Sequence, residues 1–165
     1  MSDAELLDYC NEFFEYRGGS LYSKKKRMQA DIVGQEVGYR SPDSRGRTYH
    51  RVLIKGTSHA VHRLIFLIHN KYLPDLVDHR DGDISNNYPS NLREATDNQN
   101  QWNRKVNKNS TTGIKGVRET RCGTFEARIQ VNGKQEYLGT RKTLDEAAEL
   151  YKQASLKHHG EFRYD

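Results

Sequence analysis

The stretch from Phe125 to Val131 leaves this chain the least freedom: Phe125, Ala127, Ile129 and Val131 alternate with Glu126, Arg128 and Gln130. Successive side chains of an extended strand point to opposite faces, so this pattern buries one face and leaves the other charged. Asn132-Gly133 follows at once, and a type I′ hairpin turn needs positive φ at both central residues, which Asn and Gly tolerate best. A return strand over residues 135–140 is the consequence. Thr143 and Glu146 then fit a capping box, each satisfying a free backbone N–H at a helix start. Leu144, Ala147, Ala148, Tyr151 and Ala154 give that helix an apolar face, and its alanines let it lie close to the sheet until Gly160. The C-terminal part reads as a three-stranded antiparallel sheet covered by one helix.

Upstream, residues 106–112 are polar and basic without apolar periodicity, which predicts a linker and a boundary near 110. With 34% hydrophobic residues in 165, the chain can build one or two small domains but no large core with a deep pocket. Residues 3–16 place Leu6, Cys10, Phe13 and Phe14 at helical spacing, with Gly18-Gly19 as the stop. Strand-like pieces over 20–23 and 48–55 are separated by the turn-rich stretch 41–46. Val61, Leu64, Ile65, Ile68 and Tyr72 recur at three and four residues, predicting a helix over about 60–71 with a buried stripe and an exit at Pro74. His62 and His69 lie in that helix and are read as packed or exposed, not as site residues.

Charge is segmental. Residues 1–16 hold acids and no base, residues 17–27 hold bases and no acid, and 97–142 are again mainly basic. The run Lys24, Lys25, Lys26 and Arg27 and the later arginines suit a polyanion, because neutralised phosphates release condensed counterions. Solvation of a basic surface would give the same composition, so motifs must decide. The two cysteines, Cys10 and Cys122, form no CxxC pair and indicate neither zinc nor a disulfide framework. No basic start followed by a long apolar segment opens the chain, so a cytoplasmic protein without a secretion signal or membrane span is expected.

The stretch 77–103 carries the chemistry. It reads as strand, turn-rich loop, strand and helix: Asp78-His79, then the turn formers Asp81-Gly82-Asp83 and Ser85-Asn86-Asn87, a short strand over 91–95, and a helix capped by Thr96 that carries Asn100 and Asn103. As strand neighbours, Asp78 and His79 should point to opposite sides of the pleat. A calcium loop of the EF-hand kind fails, because no glutamate stands at its twelfth position.

This stretch resembles the HNH homing endonucleases of phage and intron type, whose motif runs V-D-H-x-D-G, then N-N, N-L-R and N-x-x-N; the similarity extends upstream to Val61, His62, Arg63 and Leu64. The resemblance implies a ββα-metal (His-Me finger) module over residues 59–105 that grips the scissile phosphate. It implies that His79 is the general base, that Asn91 orients the hairpin and His79, and that Asp78 and Asn100 hold one divalent cation. An imidazole with a reference pKa of ~6.5 is largely competent as a base at neutral pH. Carboxylate and amide oxygens suit Mg2+ or Mn2+ rather than zinc.

Residues 113–162 resemble the ethylene-response-factor, or APETALA-two-like, type of DNA-binding domain, through Gly116-Val117-Arg118, the strand from Phe125, Tyr137-Leu138-Gly139, Glu146-Ala147-Ala148 and Tyr151. Phe125 stands where that family has Trp, and Thr140-Arg141 replaces its usual pair. The resemblance implies a sheet that enters the major groove, where arginines pair with guanine, and Arg118, Arg121, Arg128 and Arg141 are the candidates. Arg128 is best placed, on the solvent side of its strand, whereas Phe125 and Tyr137 are expected in the core.

The expected whole is an α+β chain: an N-terminal helix and strand region over 1–58 that contacts DNA, partly through Lys24 to Lys26 and Arg27; the nuclease module over 59–105; the linker 106–112; and the DNA-binding domain over 113–165. Its expected function is metal-dependent cleavage of double-stranded DNA by a monomer or a transient dimer, as a homing-type nickase or double-strand cutter. The alternatives are a DNA-binding regulator that has kept a degenerate hairpin, and a nuclease acting on RNA or branched DNA.

Overall fold

A computed structural model describes residues 1–28, 31–44, 46–107 and 109–163. The chain divides into two units, Met1–Ala95 and Thr96–Asp165.

The first unit opens with α1 (Asp3–Phe13), capped by a Ser2–Glu5 box. The helix does not run on to residue 16: Phe14–Arg17 is strand β1, paired antiparallel with β2 (Ser20–Ser23), and Gly18-Gly19 is their hairpin turn rather than a helix stop. Both glycines have positive φ, which suits a two-residue turn, and the ladder it closes outweighs the helical spacing of the preceding residues. Strands β3 (Tyr39–Pro42), β4 (Thr48–Ile54) and β5 (Thr57–Ala60) form a second antiparallel sheet, with β3 running into the stretch expected to be only turns.

Helix α2 (Val61–Asn70) packs into the middle of this unit, with Val61, Leu64, Ile65 and Leu67 fully enclosed. Each such side chain contributes roughly 1.5–3 kcal/mol. Tyr72 is not part of the stripe: Lys71 takes a left-handed conformation and ends the helix, leaving Tyr72 exposed with its hydroxyl donating to Glu94 at 3.0 Å. Arg63 reaches from the helix to the carbonyls of Pro74 and Asp75, at 2.9 and 2.7 Å, and so fixes the chain just before β6 (Val77–His79). Strand β6 pairs antiparallel with β7 (Leu92–Glu94), and Val77 and Leu92 join the core around α2.

The second unit begins with α3 (Asp97–Trp102), capped by a Thr96–Gln99 box. Then come β8 (Val117–Glu119), β9 (Phe125–Val131) and β10 (Lys134–Arg141) in the order β10-β9-β8, followed by α4 (Leu144–His159), whose start carries the Thr143–Glu146 box. Val117, Ala127, Ile129, Ala147 and Tyr151 form the core. Gly116, at φ +71°, lies so close under Tyr151 that a Cβ there would stand 2.2 Å from the ring.

Tyr137 is not in that core. It is 61% exposed because it pairs with Arg128, which points away from the helix, and a register shift before Gly139 lets Leu138 pack inward instead. The division after Ala95 also differs from a linker at 106–112. Trp102 stacks on His159 at 4.4 Å, and the Lys115 ammonium donates to the carbonyls of Trp102 and Arg104, so α3 and the residues after it belong with the C-terminal sheet. Among the described residues no helix is long and apolar enough to cross a membrane.

Candidate active site

Hairpin β6–β7 positions Asp78 and His79 by strand parity. Val77, His79 and Leu92 occupy the face toward α2, and Asp78 lies opposite Arg93 in register. Asp78 and Arg93 are both buried, and the guanidinium donates through Nε and Nη2 to Asp78 Oδ2 at 3.0 and 2.9 Å. A charge taken from water is tolerable only with such a partner.

The loop between the strands is built from side chains that substitute for backbone hydrogen bonds. Asp81 Oδ1 accepts from the Asp83 N–H at 2.8 Å, and Asp83 Oδ1 accepts from the Ser85 N–H at 2.9 Å. Asn91 closes it: its amide donates to Asp81 Oδ1 and to the Asn86 carbonyl, at 2.9 and 2.8 Å, while its Oδ1 accepts from the Asp81 N–H at 3.2 Å. Its backbone carbonyl also accepts from the Arg80 N–H. Partial burial pushes the Asp81 carboxyl up, but the hydrogen bonds from Asp83, Asn91 and Asn86 outweigh this and hold it below the usual range.

His79 is buried, and two neighbours hold its ring. Nε2 lies 2.9 Å from Asn87 Oδ1, and the ring of His62, from α2, sits 4.9 Å away. The Asn87 amide and the Nε2 edge of His79 thus form a buried side-chain hydrogen bond. Burial, followed by the charges of His79 and Arg63, pulls the His62 pKa down to about 3, so at neutral pH it is an uncharged wall.

The structure thus brings Asp78, His79 and Asn91 together in the first unit. Asn100 lies in α3, in the second. Sequence reasoning missed Asn87, His62 and Arg93 as site residues. Asn87 stood in the Asn-Asn pair of the motif but reads locally as a turn former, and His62 gives no sign beyond its place beside an apolar stripe. Asp78 and Asn100 present hard oxygen donors, and among the described residues no group of three His, Cys, Asp or Glu side chains gathers into a metal cage. Such donors are of the kind magnesium takes, and the Asp78 carboxylate is engaged by Arg93 in this structure.

The expected DNA contacts are dispersed. Arg27 is withdrawn from solvent: its side chain is 6% exposed, paired with Asp31 at 2.7 Å and laid over the Phe14 ring. Lys24 donates to the Asn11 carbonyl, Lys25 pairs with Glu12, and Lys26 is exposed. In the second unit Arg118 and Arg128 lie on the open face of the sheet and share Glu126, whose carboxyl they hold below its usual range, Arg128 more than Arg118. Arg141 pairs with Phe125 on the helix side, and Arg121 occupies the β8–β9 turn.

Comparison with known proteins bears on the same hairpin. Residues 59–102 match the family described as HNH endonuclease. An uncharacterised HNH endonuclease of Acanthamoeba polyphaga mimivirus is 34% identical over 105 residues, which cover 62% of this chain and 54% of that protein. Protein 3.8 of Escherichia phage T7 is 36% identical over 91 residues, covering 52% of this chain and 71% of that protein. The chain therefore spans about half the length of the mimivirus relative. No solved structure matches it.

Proposed function

Because this chain belongs to the HNH endonuclease family, we propose that it hydrolyses phosphodiester bonds of double-stranded DNA with His79 as general base. The observation that carries this reading is the enclosure of His79: its ring is fixed from one edge by Asn87 and from another side by His62. A base so held needs little reorganisation when it takes the proton of an attacking water. Asn91 keeps the loop that carries Asn87 in place, and Arg93 fixes the rotamer of Asp78.

Asp78 would hold a magnesium or manganese ion, which when bound neutralises charge on the scissile phosphate and on the leaving oxygen. The sheet of the second unit, with Arg118 and Arg128 on its open face, serves as the DNA-reading module that its APETALA-two-like pattern implies. With a single Asp-His hairpin, β6–β7, among the described residues, one nick is the elementary event, and a double-strand break requires two chains. A homing-type role accords with this pairing of a cutting hairpin with a reading sheet.

The test is incubation of the purified chain with supercoiled plasmid, linear duplex and RNA, each with magnesium, manganese or chelator. Magnesium-dependent nicking of plasmid is expected, with a loss of about 10²- to 10⁴-fold in His79→Ala. Undiminished cleavage by folded His79→Ala would refute the assignment, and cleavage confined to RNA would replace the substrate.

A further inference from the structure

A groove of about 440 Å3 lies wholly within the second unit, where the segment after α3 passes the sheet. Its walls carry Arg104, Lys105, Lys115, Arg118 and Arg128, with Gln130 among the neutral donors and no carboxylate among the described lining residues. Glu126 offsets part of the charge of Arg118 and Arg128. Arg104 and Lys105 are exposed, and neither side chain has an ion pair among the described residues. Lys115 holds the carbonyls of Trp102 and Arg104, so its ammonium is fixed in the wall, and burial followed by the repulsion of Arg104 lowers its pKa to about 8. Arg104 and Lys105, like charges side by side on this wall, are relieved when an anion arrives, and a polyanion also releases its condensed counterions on binding.

We propose that this groove holds the phosphodiester backbone of duplex DNA, with Arg104 and Lys105 as sequence-independent phosphate contacts beside the open face of the sheet. The proposal rests on the nuclease reading for its choice of polymer. Cations that contact phosphate set register and orientation without reading bases. Arg104 and Lys105 would therefore set how the strand passes, while Arg118 and Arg128 face the bases.

The experiment measures binding of a fluorescein-labelled duplex, in chelator so that it stays intact, from about 50 to 200 mM potassium chloride. Arg104→Gln with Lys105→Gln should weaken binding and flatten the slope of log K against log salt by about two, close to one for each phosphate no longer neutralised. Lys142→Gln with Lys157→Gln removes equal charge outside the groove and should leave the slope unchanged. Unchanged slope in the groove variant, an equal loss in the control, or no duplex binding by the unmodified chain overturns the proposal. Selective loss on a single-stranded RNA probe, with the duplex slope intact, assigns the groove to RNA and also overturns it. Plasmid nicking by the unmodified chain is scored separately. Cleavage with unaltered slopes removes the groove and leaves the nuclease, and the groove-specific slope loss without cleavage does the reverse.

Discussion

The amide oxygen of Asn87 lies 2.9 Å from Nε2 of His79, with both side chains buried. This hydrogen bond fixes one edge of the imidazole and so its orientation in the site. Asn87→Ala should lower kcat for plasmid nicking about ten- to a hundred-fold, the range for partners that fix a functional histidine. KM should hardly move, because Asn87 acts through the His79 ring. A fall in affinity with kcat intact would make Asn87 a substrate contact instead.

Arg93 and Asp78 face each other across the hairpin, 5% and 7% exposed. Removing one member leaves a buried charge without its partner, so Arg93→Met should cost about 3–5 kcal/mol in urea unfolding followed by circular dichroism. Adding Asp78→Asn should recover much of that loss, since it removes the stranded charge. A single variant within about 1 kcal/mol of the unmodified chain would mean that the pair is effectively solvated.

Local rules made part of this molecule legible. The alternation of β9, the Asn132-Gly133 turn and the Thr143 box are decided by residues within a few positions of each other, and the structure has all three. The hairpin carrying Asp78 and His79 followed from its motif. What failed depended on distant partners. Phe14 joins a strand because β2 pairs with it, and Tyr137 faces outward because of its register against Arg128. The position of α3 depends on the stacking of Trp102 upon His159, which no spacing rule encodes. Asn87 was hidden for a related reason: a turn-forming asparagine and one that holds a histidine look alike until the loop is folded.

Gly116 offers a test of the second unit alone. Its φ of +71° strains any L side chain, and an added Cβ would also meet the Arg128 carbonyl at 2.5 Å and the Tyr151 ring at 2.2 Å. Gly116→Ala should destabilise this unit by at least about 1–3 kcal/mol. Trp102, the only tryptophan, reports its unfolding through fluorescence. Unfolding at the same denaturant concentration as the unmodified chain would show that the backbone relaxes away from Tyr151.

His62 makes the first unit sensitive to acid. Its pKa falls from an ordinary 6.5 to about 3, chiefly through burial, so the native state holds it uncharged while the unfolded chain protonates it below pH 6.5. The unfolded state then binds more protons, and stability falls as pH is lowered from 6.5 toward 3, being complete only above that window. His50 and His59 are also lowered by burial and act in the same direction, so His62 accounts for part of the slope. His62→Phe keeps an aromatic wall against His79 and removes the titrating nitrogen. Its melting temperature should therefore fall less than that of the unmodified chain between pH 6.5 and 4, with the two curves parallel above pH 7. The same acid slope in both proteins would mean that His62 is not the group being charged on unfolding.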